Sequence, residues 1–369
     1  MKYWRGYLVA ALVAAGSWGL QVFAESHSVL VDMVYPYVSR MIQTYLADWS
    51  GSVGFCVWQV LLMVLVVLAL ASIVLMILFK WNPIQWFGWV LACACMIGLL
   101  NTGVYGLNVY AGDLAQDIRL DDTEYKYTVS ELEEAAKFYR DQANQLADSM
   151  KRNASGDVQF STFEELARQA GEGFRVLTYD QFYSVFAGST VPVKELGMSS
   201  YFSSQGITGM TVALTGEAAV NPQIPAVCMP FTMSREMARR MCIAVERDAE
   251  FAAFMACDAN PSVEFQYSAY FMAFRHCYEA MKSLGTASGQ IALQNFEAGI
   301  GVNLRHDLNS YDSYFGQNLR LDSEVADLLV IWHIQKYVLP LHIEDEKPFD
   351  PKDESAVDLS GIVNAKTEE

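Results

Sequence analysis

Histidine is scarce in this chain of 369 residues: only His27, His276, His306, His333 and His342 are present. None has a second histidine at i+4, the spacing that puts two imidazoles on one helix face toward a metal. The seven cysteines form no CxxC pair, so neither a zinc ribbon nor a thioredoxin-like redox site is indicated. No GxSxG elbow marks a serine nucleophile. Basic residues are also outnumbered, 25 Lys and Arg against 42 Asp and Glu, for a formal net charge of −17. Phosphate backbones repel so acidic a chain, which makes nucleic acid a poor partner. Most telling is the absence of any charge from 53 to 79. A buried helix hairpin in a soluble protein does not need so long an uncharged run, whereas a bilayer crossing needs about 20 apolar residues.

What is present fits that reading, for 53% of the chain is hydrophobic. Three stretches are expected to cross a membrane, at about 6–24, 53–79 and 84–106, with Trp58, Trp81, Trp86 and Trp89 near their edges, where indoles favour the headgroup region. Residues 1–112 carry Lys2, Arg5, Arg40 and Lys80 against Glu25, Asp32 and Asp48, a net of +1, which leaves −18 for 113–369. Lys2 and Arg5 precede the first span, and Lys80 lies between the second and third. The positive-inside rule then places everything after about residue 107 outside the cytoplasm. Val-Phe-Ala before Glu25 matches a signal-peptidase site, and cleavage there would remove the first span without changing that side. The loop 25–52 has Val29, Leu30, Met33, Val34, Tyr37, Met41, Tyr45 and Leu46 at helical spacing. It is expected to lie along the outer membrane surface or to pack against the outer domain.

Beyond a polar linker at 121–126, Thr128 with Glu131, or Ser130 with Glu133, opens a helix to about residue 151. Ser161 with Glu164 opens another that should end near Gly171. Residues 207–220 suggest a strand followed by a turn at Thr215-Gly216. Helices are expected at 230–244, 246–257 and 263–284, with Asn260-Pro261 between the last two, and at 323–338. Residues 343–369 read as a disordered acidic tail. Met229, Met233, Met237, Met241 and Met255 suit core packing rather than copper binding. Cys228, Cys242, Cys257 and Cys277 suit buried thiols, with a Cys242–Cys277 pair possible. His276 reads as a satisfied residue within its helix rather than as a metal ligand.

The informative stretch is 229–257, MPFTMSREMARRMCIAVERDAEFAAFMAC. With TGEAAVN at 215–221 and YGLNVY at 105–110, it resembles the bacterial membrane-protein family of unknown function numbered 3810, whose members are similar to zinc metallopeptidases. That family shows TGEANVN, then PFT, then a helix with His-Glu-Met-Ala-His-Gln, then REDEANF and an Ala-Cys pair. Here the pieces are PFT at 230–232, REMARR at 235–240, VERDAEF at 245–251 and Ala256-Cys257. The resemblance implies an α-helical anchor of three spans followed by a mostly helical α+β zincin-like extracytoplasmic domain over 113–342. It also implies an edge strand beside the motif helix that pairs with an extended peptide.

The departures from the family pattern carry the functional expectation. Both imidazole positions are arginine, Arg235 and Arg239, whose guanidinium groups only donate hydrogen bonds and repel a cation. Glu236, the family's general base, is left without a metal-bound water to activate. The third ligand should be an acid on the next helix, either Glu246 or Asp248. Glu217 and Asn221 are further candidates for lining the cleft. Three readings of the arginines stay open. They could lie on a solvated helix face with a Glu236–Arg240 pair. They could pair internally with Glu246, Asp248 or Glu250. They could bind an anion or a peptide C-terminus. The expected function is a catalytically degenerate, membrane-anchored peptidase relative, without a metal cofactor, that binds a peptide or envelope protein. The alternatives are a hydrolase with unconventional metal ligands and a structural scaffold of the cell envelope.

Overall fold

The computed structural model of the chain describes residues 4–120, 127–284, 287–316 and 323–339. The linker expected at 121–126, the acidic tail and His342 lie outside these residues. Helices α1 (Arg5–Ser26), α3 (Val57–Leu78) and α4 (Pro83–Val104) have 22 residues each. At 1.5 Å per residue that is about 33 Å, enough for the hydrocarbon core of a bilayer. All three are long and apolar enough to cross a membrane, which marks a membrane protein. α1 and α4 run parallel and touch through small residues. Gly6 lies against Gly88, Ala10 and Ala92 are buried, and Ser17 Oγ is 3.1 Å from Thr102 Oγ1. The missing side chains at the glycine crossing let the two backbones approach closely. α3 buries none of its residues and is tied to α4 where Trp86 Nε1 donates to Ser72 Oγ at 3.2 Å. Between α1 and α3 lies α2 (Ser28–Gly51), which realises the helical spacing of 25–52.

A mostly helical domain follows. It comprises α5 (Leu114–Asp117), α6 (Val129–Ser149), α7 (Phe163–Tyr179), α8 (Ser199–Ser204), α9 (Met229–Arg240), α10 (Glu246–Asp258), α11 (Val263–Lys282), α12 (Ala287–Ala298), α13 (Val302–Phe315) and α14 (Ser323–His333). A small sheet is inserted between α7 and α9, with strands β1 (Lys194–Glu195), β2 (Gly209–Val212) and β3 (Glu217–Val220) in the order β1-β3-β2. β1 is parallel to β3. β2 is antiparallel to it, with Gly209 opposite Val220 and Val212 opposite Glu217. The single strand expected over 207–220 is therefore a hairpin, and Gly216 supplies the positive φ of 65° at its turn.

Local chemistry accounts for the helix starts. Thr128 and Glu131 form a reciprocal capping box on α6, and Thr162 and Glu165 form one on α7. The second box sits one residue beyond the Ser161–Glu164 pairing expected from sequence. α7 also does not stop near Gly171 but continues to Tyr179. Its glycines serve packing instead, since a Cβ on Gly171 would meet Thr190 and one on Gly173 would strike the carbonyl of Ala256 in α10. Close helix contact thus overrides the poor helix propensity of glycine. The core gathers around α9, α10 and α11, where Met233, Met237, Phe251, Phe265, Phe271 and Phe274 are buried. Met229, Met241 and Met255 belong to it as well. Cys228, Cys242, Cys257 and Cys277 are buried free thiols; Cys242 lies 3.2 Å from Ser39 Oγ rather than bridged to Cys277.

Candidate functional site

The arginines of the 229–257 stretch face α10. Two residues on each helix, four apart, meet across the α9–α10 packing: Arg235 and Arg239 on α9, Glu246 and Glu250 on α10. Arg235 NH1 lies 3.6 Å from both Glu246 Oε1 and Glu250 Oε1, and Arg239 pairs with Glu246. Arg235 also donates to Glu236 Oε1 at 3.0 Å and to Thr208 Oγ1 at 2.8 Å. Glu236, with no side-chain exposure, accepts in addition from Thr211 Oγ1 of β2 at 3.0 Å. From α11, His276 Nε2 approaches Glu250 Oε2 to 3.2 Å. The cluster alternates in sign, and each carboxylate borders at least one cationic or hydroxyl donor.

Electrostatics follow from that alternation. Burial alone would raise the pKa of Glu250, but His276 and Arg235 outweigh it and hold the carboxyl below its ordinary range. Burial likewise opposes charge on Arg235, and Glu236 and Glu250 more than offset it, raising its pKa. Glu236 is thus held in an internal ion pair. The solvated-face reading does not hold: Arg240 is buried and donates to the carbonyl of Ser189 at 3.0 Å. Among the described ion pairs, none joins it to Glu236.

A zinc ion does not fit this donor set. The carboxylate oxygens that would ligate it face guanidinium N–H groups, and the ion would sit beside two permanent positive charges. Asp248 is not part of the cluster. It is buried on another side of α10, accepting from Leu114 N at 3.1 Å and Arg247 Nε at 2.9 Å. Asn221 braces a loop, donating to Ser203 Oγ at 2.8 Å and accepting from Gln223 N at 3.0 Å.

Glu217 occupies a different junction. Its two carboxylate oxygens accept from Val57 N at 2.7 Å and Trp58 N at 2.8 Å, the first amides of α3. Lys194 Nζ lies 2.7 Å from Glu217 Oε1 and also donates to the carbonyls of Ser50 and Phe55. A buried ion pair from the sheet therefore caps a membrane-crossing helix, where free amides carry partial positive charge.

Sequence reasoning named Glu250 only as a possible partner, although its i+4 spacing from Glu246 was a usable signal. It did not assign His276, Thr208 or Thr211 to the cluster. Their positions depend on how α11 and β2 pack on α9 and α10, which the periodicity of one segment does not reveal.

The model of one family, described as a protein of unknown function (DUF3810), matches residues 31–328. Neither the curated proteins nor the solved structures contain a match.

Proposed function

This chain belongs to the DUF3810 family of proteins of unknown function, and from that premise we propose that it is a membrane-anchored, catalytically degenerate relative of zinc peptidases. It holds its helical domain outside the cytoplasm and binds an extended peptide or envelope protein along β2 without cleaving it. One observation carries this reading. The two helix positions four apart that would supply imidazoles hold Arg235 and Arg239, and the acids of the next helix neutralise those arginines rather than a metal. The supporting geometry is β2, an edge strand lying against α9 through Thr211 and Glu236. An edge strand of this kind can accept one more strand from a partner. The third acid of the ancestral site corresponds to Glu246 or Glu250, the two that face the arginines.

Elemental analysis of the full chain, purified in detergent after exposure to zinc, tests the proposal. Far less than one zinc per chain is expected. Stoichiometric zinc that disappears in Glu246→Gln or Glu250→Gln would overturn it. A second reading, a structural envelope scaffold with a filled cleft, is favoured by the complete burial of Glu236 and its ties to Arg235 and Thr211. Screening the full chain against an array of extended peptides separates the two. Saturable binding supports the peptide-binding reading, and its absence supports the scaffold.

A further inference from the structure

We infer that α2 is an in-plane helix seated in the headgroup region of the bilayer, with lipid as the occupant of its exposed apolar face. The helix is amphipathic in the inverse sense. Apart from Val31, which packs on Ala24 and Leu107 near the end of α1, the side chains it buries are small or polar: Ser39, Gln43, Ala47 and Ser50. Gln43 Nε2 donates to the carbonyl of Ala213 at 2.9 Å, and Gly216 lies against Leu46 and Ala47. About 200° round the helix, two residues after each of Ser39, Gln43 and Ala47, come Met41, Tyr45 and Trp49. With Val29, Met33 and Tyr37 they form a stripe at four-residue spacing, each 55–76% exposed. A helix docked on a domain in water turns its apolar stripe inward. The reversal requires an apolar medium on the other side.

The connections identify that medium. α1 and α4 run parallel and α3 runs opposite, so the ends of α1 and α4 and the start of α3 share one membrane face. α2 is tied to all three. It follows α1 after His27 and leads into α3 through residues 52–56. In between, Tyr35 Oη donates to Thr102 O at 3.1 Å and Ser39 Oγ to Val104 O at 2.7 Å, at the end of α4. A helix of 24 residues, about 36 Å long, that is held near both ends and its middle to one face must lie along that face. Asp48 is exposed beside Trp49, which the headgroup depth tolerates and the acyl core would not. Tyr37, Tyr45 and Trp49 are also residue types that favour this depth.

The test uses the full chain in lipid nanodiscs, with the photo-crosslinker p-benzoylphenylalanine at position 37 or 45. Position 302 serves as control, since Val302 is 86% exposed on α13. Lipid adducts, read by mass spectrometry, are expected to be at least tenfold more abundant at 37 and 45 than at 302. Adducts at 37 and 45 to a second copy or another protein, or no lipid excess over the control, would overturn the inference. An independent readout avoids the crosslinker. Lipids brominated near the headgroup should quench a component of tryptophan emission that is missing from Trp49→Phe. Equal fractional quenching of the two proteins would count against lipid contact.

Discussion

At the scale of single residues, the cluster between α9 and α10 is an ion-pair network in which Arg235 and Arg239 face Glu246 and Glu250. A guanidinium only donates hydrogen bonds and is itself a cation, so it pairs with acids where an imidazole could hold a metal. The acids of α10 serve as its partners. Arg235 and Glu236 are both largely buried, so removing Arg235 leaves the Glu236 carboxylate without its charge partner. Arg235→Met is expected to destabilise the folded chain by about 3 kcal/mol, read from thermal unfolding in detergent. Glu246→Gln should cost less than about 1 kcal/mol, because Glu246 is 43% exposed and solvent screens its pairs. Asp248 gives a pH signature. Burial, reinforced by Asp113, raises its pKa from 3.8 to about 6. A group raised on folding contributes most stability below its unfolded pKa and loses that contribution as pH rises through the folded value. Relative to Asp248→Asn, the wild-type chain should therefore lose stability between about pH 4 and 6. Parallel stability profiles for the two proteins across that window would refute the assignment.

At the scale of elements, the junction between the sheet and α3 deserves a test of its own. Lys194 and Glu217 are 8% and 1% exposed, and together they satisfy two amides of α3, the carbonyl of Ser50 at the end of α2 and that of Phe55 in the turn between the two helices. Glu217→Gln leaves the Lys194 ammonium without its counter-charge and weakens the cap, an expected loss of about 3 kcal/mol. Combining it with Lys194→Met should restore part of that loss, since no buried charge then stands alone. A double variant at least as unstable as the sum of the singles would argue that the pair is not coupled. The same element logic explains α7, where glycines interrupt the expected pattern yet are retained for contact with Thr190 and Ala256.

At the scale of the whole molecule, the packing of α1 on α4 bears on the mature form. Gly6 against Gly88 and Ser17 against Thr102 span most of both helices. Ala24, at the position of the signal-peptidase match, is fully buried inside α1. We expect the intact mass of the membrane-extracted protein to include α1. A mass beginning at Glu25 would show that the α1–α4 contact is not kept. The proposed orientation is checked by protease added to intact cells with a permeable outer envelope. Cleavage within the helical domain is expected, and protection until the membrane is lysed would reverse the topology.

The uncharged runs determined the membrane-crossing segments by themselves, because about 20 consecutive apolar residues have no other stable place. Helix starts were legible within a residue or so from Thr-x-x-Glu spacing, since a capping box is a contact between residues three apart. The shared placement of positions 235, 236 and 239 was legible for the same reason: one helix turn sets it. Only the tertiary structure decided that Glu250 and His276 complete the cluster, that Asp248 turns away from it, and that Glu217 caps α3 instead of lining a cleft. Each of those outcomes depends on contacts between segments far apart in the chain. The spacing within a segment says which residues share a face, and packing alone says what that face meets.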